Sequence, residues 1–228
     1  MVRAAGTVVT VERVAEGLAA VRDRIERAGG GPDVIVLPVT KGFGPDAIEA
    51  AVATGCERIG ENYAQELLAK LAEISGRRPE VHFIGQLQSR KVRTLAGVVD
   101  VWQTLDRQVL VDKLASGAPS ARVMVQVNVT GEPQKAGCAP SDAPALVSAA
   151  RDAGLAVEGL MTIGRAGPPE GSRAGFRELR ALAERLGVRH CSMGMSEDLE
   201  VAVSEGSTMV RVGTAVFGQR PPPLDPPK

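Results

Sequence analysis

Residues 34–39 read Val-Ile-Val-Leu-Pro-Val and residues 123–127 read Val-Met-Val-Gln-Val. Both runs are apolar at nearly every position. A strand with one wet face alternates, whereas a parallel strand covered by helices on both faces does not. Working outward, short apolar runs recur at 57–59, 81–84, 98–102, 157–161, 189–192 and 208–212. Helically spaced segments lie between them at 45–53, 63–74, 89–95, 107–114, 143–153, 171–186 and 197–204, and another at 11–28 precedes the first strand. Pro45 suits a first helical turn, Ser89, Asp106 and Ser196 read as N-caps, and Gly55, Gly154, Gly187 and Gly206 follow helix ends. Eight strand–helix units in about 190 residues predict a single (β/α)8 TIM barrel. A doubly wound open sheet shows the same alternation, and one sequence does not display closure. No linker marks a second domain, so the barrel is predicted over residues 1–220, with a disordered Pro-rich tail, PPPLDPPK, at 221–228.

Composition narrows the function classes. The 27 Lys+Arg balance the 27 Asp+Glu, which argues against a protein that binds nucleic acid by neutralising phosphates. Aromatic residues are 3% of the chain, too few for a base-stacking surface. Cys56, Cys138 and Cys191 are odd in number and form no CxxC pair, against a disulfide framework or a zinc site. The N-terminus does not read as a signal peptide, and no run of about 18 apolar residues could span a membrane. A cytoplasmic protein is expected.

In such a barrel, chemistry collects at the C-terminal ends of the strands. The first strand runs into Thr40-Lys41-Gly42, and Lys41 is one of only six lysines against 21 arginines. A lysine in a dry barrel mouth loses charged-state solvation and becomes a Schiff-base amine, although strand-end lysines are commonly just solvated. Cys191-Ser192-Met193-Gly194-Met195-Ser196 opens a helix after the seventh strand, and Arg211-Val212-Gly213-Thr214 leaves the eighth. Loops there are favoured phosphate sites. A tethering amine opposite two phosphate-type loops describes a phosphorylated aldehyde. His82 and His190 read as packing or hydrogen-bonding residues, and Cys138 as a loop thiol with only Lys135 near enough to activate it.

These residues carry a family resemblance. The chain resembles the pyridoxal phosphate homeostasis proteins, single-domain relatives of the alanine racemase barrel. The matching motifs are Val39-Thr40-Lys41, Gly60-Glu61-Asn62-Tyr63 with Gln65-Glu66, and His82-Phe83-Ile84-Gly85 with Leu87-Gln88-Ser89. They continue through Gln126-Val127-Asn128, Gly159-Leu160-Met161-Thr162-Ile163, Ser192–Ser196 with Asp198-Leu199, Gly206–Thr214, and Phe217-Gly218. The resemblance implies a fold type III barrel without the C-terminal β domain. It implies pyridoxal 5′-phosphate (PLP) held covalently on Lys41. Ser196, Gly213 and Thr214 would bind the phosphate, Arg211 would meet the ring nitrogen or the phosphate, and Asn62 and Met193 would line the pocket. Val81 and Gln86 stand where the family often has Trp and His, and Gln134-Lys135-Ala136-Gly137 where it usually reads SKSG.

Racemases of this fold use a second domain to supply an acid/base group, commonly tyrosine, on the far face of the cofactor. The sequence offers Lys41 and no evident partner, Tyr63 being its only tyrosine. The expected protein is therefore a non-enzymatic, monomeric PLP carrier that buffers the aldehyde and delivers it to PLP-dependent apo-enzymes. A weak single-domain amino-acid racemase is the alternative, and a barrel binding another phosphorylated ligand without a covalent bond is a third reading.

Overall fold

The computed structural model describes residues 8–220. The predicted tail at 221–228 lies outside them. Strands β1 (Ile35–Pro38), β2 (Arg58–Glu61), β3 (Glu80–Phe83), β4 (Val101–Leu105), β5 (Arg122–Gln126), β6 (Ala156–Met161), β7 (His190–Ser192) and β8 (Met209–Val212) are all parallel. Between and around them lie α1 (Val11–Arg27), α2 (Pro45–Ala53), α3 (Ala64–Glu73), α4 (Val92–Leu95), α5 (Gln108–Gly117), α6 (Ala143–Asp152), α7 (Arg173–Arg185), α8 (Leu199–Ser204) and α9 (Thr214–Phe217).

The ladder runs β1-β8-β7-β6-β5-β4-β3-β2. Its two ends meet one residue beyond β1, where Val39 bridges Gly60 and the Thr40 N–H donates to the Gly60 carbonyl at 3.1 Å. That contact makes the sheet a nearly closed (β/α)8 barrel rather than an open one. Gly60 faces inward there, with Val39, Leu37 and Ile84 side chains 3.2–3.4 Å from where a Cβ would sit.

The barrel wall separates two apolar layers. Outside, Val36, Ile59, Val81, Trp102, Val125 and Leu160 meet helix residues such as Ile48, Leu67, Leu110, Leu114 and Phe176. Inside, Leu37, Val101, Met124, Met161 and Met209 form a separate cluster. The interior methionines suit a tapered space, because an unbranched thioether fills irregular gaps.

Several sequence expectations shift. Ser89 is no N-cap: it opens a short 3-10 turn, Ser89–Lys91, and Lys91 holds the N-cap position of α4. The fourth strand begins at Val101 instead of Val98, because the N–H groups of Val98 and Val99 both donate to the Leu95 carbonyl and end α4 in a turn. Asp106 does not cap α5, whose N-cap is Arg107, paired with Asp106 at 2.5 Å. Ser196 is not the cap of α8. Asp198 holds that position, and its Oδ1 turns back to accept the Met195 N–H at 2.7 Å.

The N-terminal helix is fixed by a capping bond from Arg13 N–H to Thr10 Oγ1 and packs directly on α9. A Cβ on Gly17 would lie 2.6 Å from the Val216 carbonyl oxygen, so glycine permits this approach.

Charges fill the N-terminal end of the barrel. Glu80 meets Arg122 at 2.5 Å and His82 at 2.7 Å, and Arg122 meets Glu158 at 2.5 Å. The hydrogen bond from His82, with help from Arg122, holds the Glu80 carboxyl down to about 2 from its usual 4.5. Its folded value lies below the unfolded one, so its contribution is present above about pH 4.5 and fades as pH falls toward 2. Glu80→Gln is expected to flatten that stretch of the stability–pH curve in acid-denaturation melts. An unchanged slope would show that Glu80 carries no such linkage.

Candidate cofactor-binding site

After β1 the chain turns sharply. The Phe43 N–H donates to the Thr40 carbonyl at 3.1 Å, and Gly42 adopts φ +78°, where a side chain would be strained. The turn leaves Lys41 on the wall of a cavity of about 410 Å³ at the C-terminal rim of the barrel. Val39, Ile84 and Ile163 supply apolar wall. Ser196, Arg211, Gly213, Thr214, Lys135 and Arg220 supply polar wall.

Among the described residues, the Lys41 amine has no hydrogen-bond or ion-pair partner. Its pKa is lowered, first by burial and then by the charges of Arg220 and Arg211, with Glu61 and Glu66 opposing. A larger fraction of neutral, nucleophilic amine follows.

Both neighbours of Lys41 are held by a buried ionic group behind it. Lys70, 4% exposed, donates to Glu61 Oε1 at 2.8 Å and to the Thr40 carbonyl at 2.7 Å, and also pairs with Glu66. Thr40 Oγ1 donates to Glu61 Oε1 at 2.6 Å, and the Gly42 N–H donates to Glu66 Oε1 at 2.6 Å. The Glu66–Lys70 spacing of four residues on α3 puts both groups on one helix face. The site lysine therefore hangs from a loop clamped on each side.

Arg211 forms the floor. It is 4% exposed; Nη1 donates to the Ser192 carbonyl (2.7 Å) and Oγ (2.9 Å), and Nη2 to the Thr162 carbonyl (2.7 Å). Burial presses its pKa down to about 10, which leaves it a cation at neutral pH.

At the rim, the N–H groups of Gly213 and Thr214 donate to no acceptor among the described residues and sit at the start of α9. Such free donors suit an anion. The Ser196 loop is pinned from outside by Arg24 of α1, whose Nη2 donates to the Ser196 carbonyl at 2.8 Å while its guanidinium pairs with Glu200. Arg220 crosses the mouth, its Cδ 3.1 Å from the Cβ position of Gly42 and its Nη2 3.9 Å from that of Gly213.

Lys41, Ser196, Arg211, Gly213 and Thr214 thus converge on one cavity. Two expected lining residues do not. Met193 is fully buried in the outer apolar layer, because strand alternation turns it away from Ser192, which faces the barrel interior. Asn62 is half-buried and lies outside the cavity wall; its carbonyl instead packs against Gly85, where a Cβ would come within 1.9 Å.

Sequence reading missed Arg220 and the clamp formed by Glu61, Glu66 and Lys70. The Glu66–Lys70 spacing was visible, but nothing in it showed that Lys70 is buried. Lys135 also lines the cavity, with Nζ on the Gly164 carbonyl at 2.6 Å and on Glu132 at 2.5 Å. Burial, then Asp142 and Asp106, pushes the Cys138 thiol up to about 11, so it is not an activated nucleophile.

The donor set fits PLP. An unpartnered amine suits an aldehyde, a buried guanidinium suits a ring nitrogen, and free N–H groups beside a second arginine suit a phosphate.

Fold and site together define the class, a (β/α)8 barrel of the alanine racemase type with its ligand cavity at the C-terminal rim. Residues 11–221 match the family described as alanine racemase, N-terminal domain. The pyridoxal phosphate homeostasis protein of Pseudomonas aeruginosa is 40% identical over 218 residues, covering 92% of this chain and 95% of that one. That of Aquifex aeolicus is 37% identical over 226 residues, covering 92% and 97%. PipY of Synechococcus elongatus PCC7942, solved with PLP bound, superposes with a TM-score of 0.80 at 32% identity, over 90% of this chain and all of that one. The chain belongs to the family of pyridoxal phosphate homeostasis proteins. A D-threo-3-hydroxyaspartate dehydratase shares the barrel at a TM-score of 0.70 but only 17% identity, a likeness of fold alone.

Proposed function

We propose that this chain holds PLP as a Schiff base on Lys41 and serves intracellular PLP homeostasis, buffering the reactive aldehyde and passing it to apo-enzymes. The observation that carries this reading is the unpartnered Lys41 amine sharing one cavity with buried Arg211 and the free N–H groups of Gly213 and Thr214. When bound, PLP supplies an aldehyde that condenses with an amine and releases water. Lys41 presents that amine from a clamped loop. Arg211, on the cavity floor, would meet the ring nitrogen and keep it unprotonated, which would weaken the ring as an electron sink. Gly213, Thr214 and Ser196 hold the phosphate, and Arg220 adds a cation across the mouth. The names of the relatives and the PLP-bound state of PipY support the same reading.

The placement of Tyr63, the residue type that commonly serves as the second acid/base group, supports the carrier reading over a racemase. Stereo-inversion needs a proton donor on each face of the cofactor. Tyr63 is 55% exposed and lies outside the wall.

The test is a visible absorption spectrum of the protein with added PLP, followed by borohydride reduction and peptide mass mapping. The expected result is a reducible band whose adduct maps to Lys41, with no sustained turnover of free amino acids by highly purified protein. An adduct scattered over several lysines would overturn the tether. Turnover beyond stoichiometry that disappears in Lys41→Ala would overturn the carrier.

A further inference from the structure

A file of hydrogen bonds descends from the cavity floor to the opposite end of the barrel. Arg211 Nη1 donates to Ser192 Oγ at 2.9 Å, and Ser192 Oγ donates to Gln103 Oε1 at 2.7 Å. Gln103 Nε2 meets His82 Nδ1 at 2.7 Å, and His82 Nε2 meets Glu80 Oε1 at 2.7 Å. Glu80 Oε2 then accepts from Arg122, which turns to Glu158. The file draws on β8, β7, β4, β3, β5 and β6 in turn, so it stitches most of the barrel together through its interior.

Its direction is fixed from the top. A guanidinium only donates, so the Ser192 hydroxyl accepts from Arg211 and gives its own proton to Gln103 Oε1. The Gln103 amide is thereby oriented with its NH2 toward His82. Its second N–H goes to Met209 Sδ at 3.2 Å, which saturates it. His82 Nδ1 must then accept, and the imidazole is the Nε2–H tautomer donating to Glu80. No link is free to reverse while Arg211 stays in place.

These groups are costly to bury. Gln103 and Ser192 are 0% exposed and His82 is 2% exposed, among Leu37, Val101, Met124 and Met161. Apolar residues of similar volume often stabilise such an interior as well or better. What the polar file does that an apolar core would not is orient the floor. Of the five Arg211 N–H donors, Ser192 and Thr162 take three, which leaves Nε–H and one Nη2–H for a ligand.

We propose that Ser192, Gln103 and His82 are positioning residues that set the plane of the Arg211 guanidinium against the ring of the bound cofactor, and so couple the cavity to the charged far end of the barrel. This rests on the PLP reading above. The chain has two histidines, His82 and His190, so side-chain 15N NMR reports the file directly. In the protein without PLP, the His82 signals are expected to be those of the Nε2–H tautomer. Adding PLP is expected to shift them although His82 lies outside the cavity wall.

Gln103→Leu breaks the file without touching Arg211. It is expected to abolish the PLP-induced His82 shift, displace the absorption maximum of the bound cofactor and weaken PLP about five- to tenfold. Should Gln103→Leu fail to fold, Ser192→Ala breaks the file one link higher, at the hydroxyl that Arg211 itself contacts, and Ser192→Thr, which keeps the hydroxyl, is expected to restore the native band. A folded Gln103→Leu or Ser192→Ala protein with the native band position, affinity and His82 response would overturn the proposal. Absence of any PLP band in the unsubstituted protein would instead overturn the PLP reading, and with it the role given to the file.

Discussion

Lys70→Met is expected to destabilise the protein by about 3–5 kcal/mol, the penalty for stranding a buried charge by removing its partner. Lys70 is 4% exposed and its amine joins Glu61, Glu66 and the Thr40 carbonyl. Without it, the fully buried Glu61 keeps only the Thr40 hydroxyl, and its Oε2 already lacks a partner. Burial raises the Glu61 pKa even with Lys70 present. In the variant that value rises further, so the native state holds a proton the unfolded chain releases, and stability falls as pH rises. Thermal melts of Lys70→Met at pH 5 and pH 8 should therefore differ, with the lower pH more stable. Adding Glu61→Gln should recover much of the loss. A single variant melting within a degree or two of the native protein at both pH values would show that the clamp carries little energy.

The second large effect concerns Lys41. Lys41→Ala is expected to remove the borohydride-fixed PLP adduct altogether, while Lys135→Ala retains it. The fold should not suffer. The Lys41 amine is desolvated and repelled by Arg220 and Arg211, so its removal relieves strain instead of breaking a contact. Equal or higher melting temperature alongside a lost adduct would separate tethering from folding. The pH dependence has a definite sign. Because the Lys41 pKa is lowered from 10.5, adduct formation should accelerate with rising pH and level off below that value. Arg220→Ala removes the largest opposing charge and should move the profile to higher pH. An adduct that survives Lys41→Ala, or a profile that Arg220→Ala leaves in place, would refute the assignment.

Some of this was legible in residue order alone. Unbroken apolar runs such as 34–39 and 123–127 identify strands covered on both faces, because burial on two sides leaves no position for a polar residue. The helical segments at 45–53 and 143–153 were legible for the complementary reason: one apolar face per helix, with proline at the start and glycine just past the end. Lys41 and the Gly213-Thr214 loop stood out because a barrel places its chemistry at strand exits.

The interior of the barrel was not legible. Gln103 and Thr104 fall beyond the apolar run at 98–102, and their place in β4 is explained only by His82 and Ser192 across the barrel, which partner Gln103. Met193, one residue past β7, reads as a pocket residue in the sequence, but the structure buries it in the outer apolar layer.

What the sequence by itself determined is the alternation of elements, the family and the residues at the strand exits, since these rest on local periodicity and on motifs contiguous in the chain. Closure at Val39 and Gly60, the clamp behind Lys41, the cation of Arg220 and the file beneath Arg211 were decided only by tertiary structure. Each joins groups many residues apart, and the partner of a buried polar atom is chosen by geometry across the barrel, which no local pattern encodes.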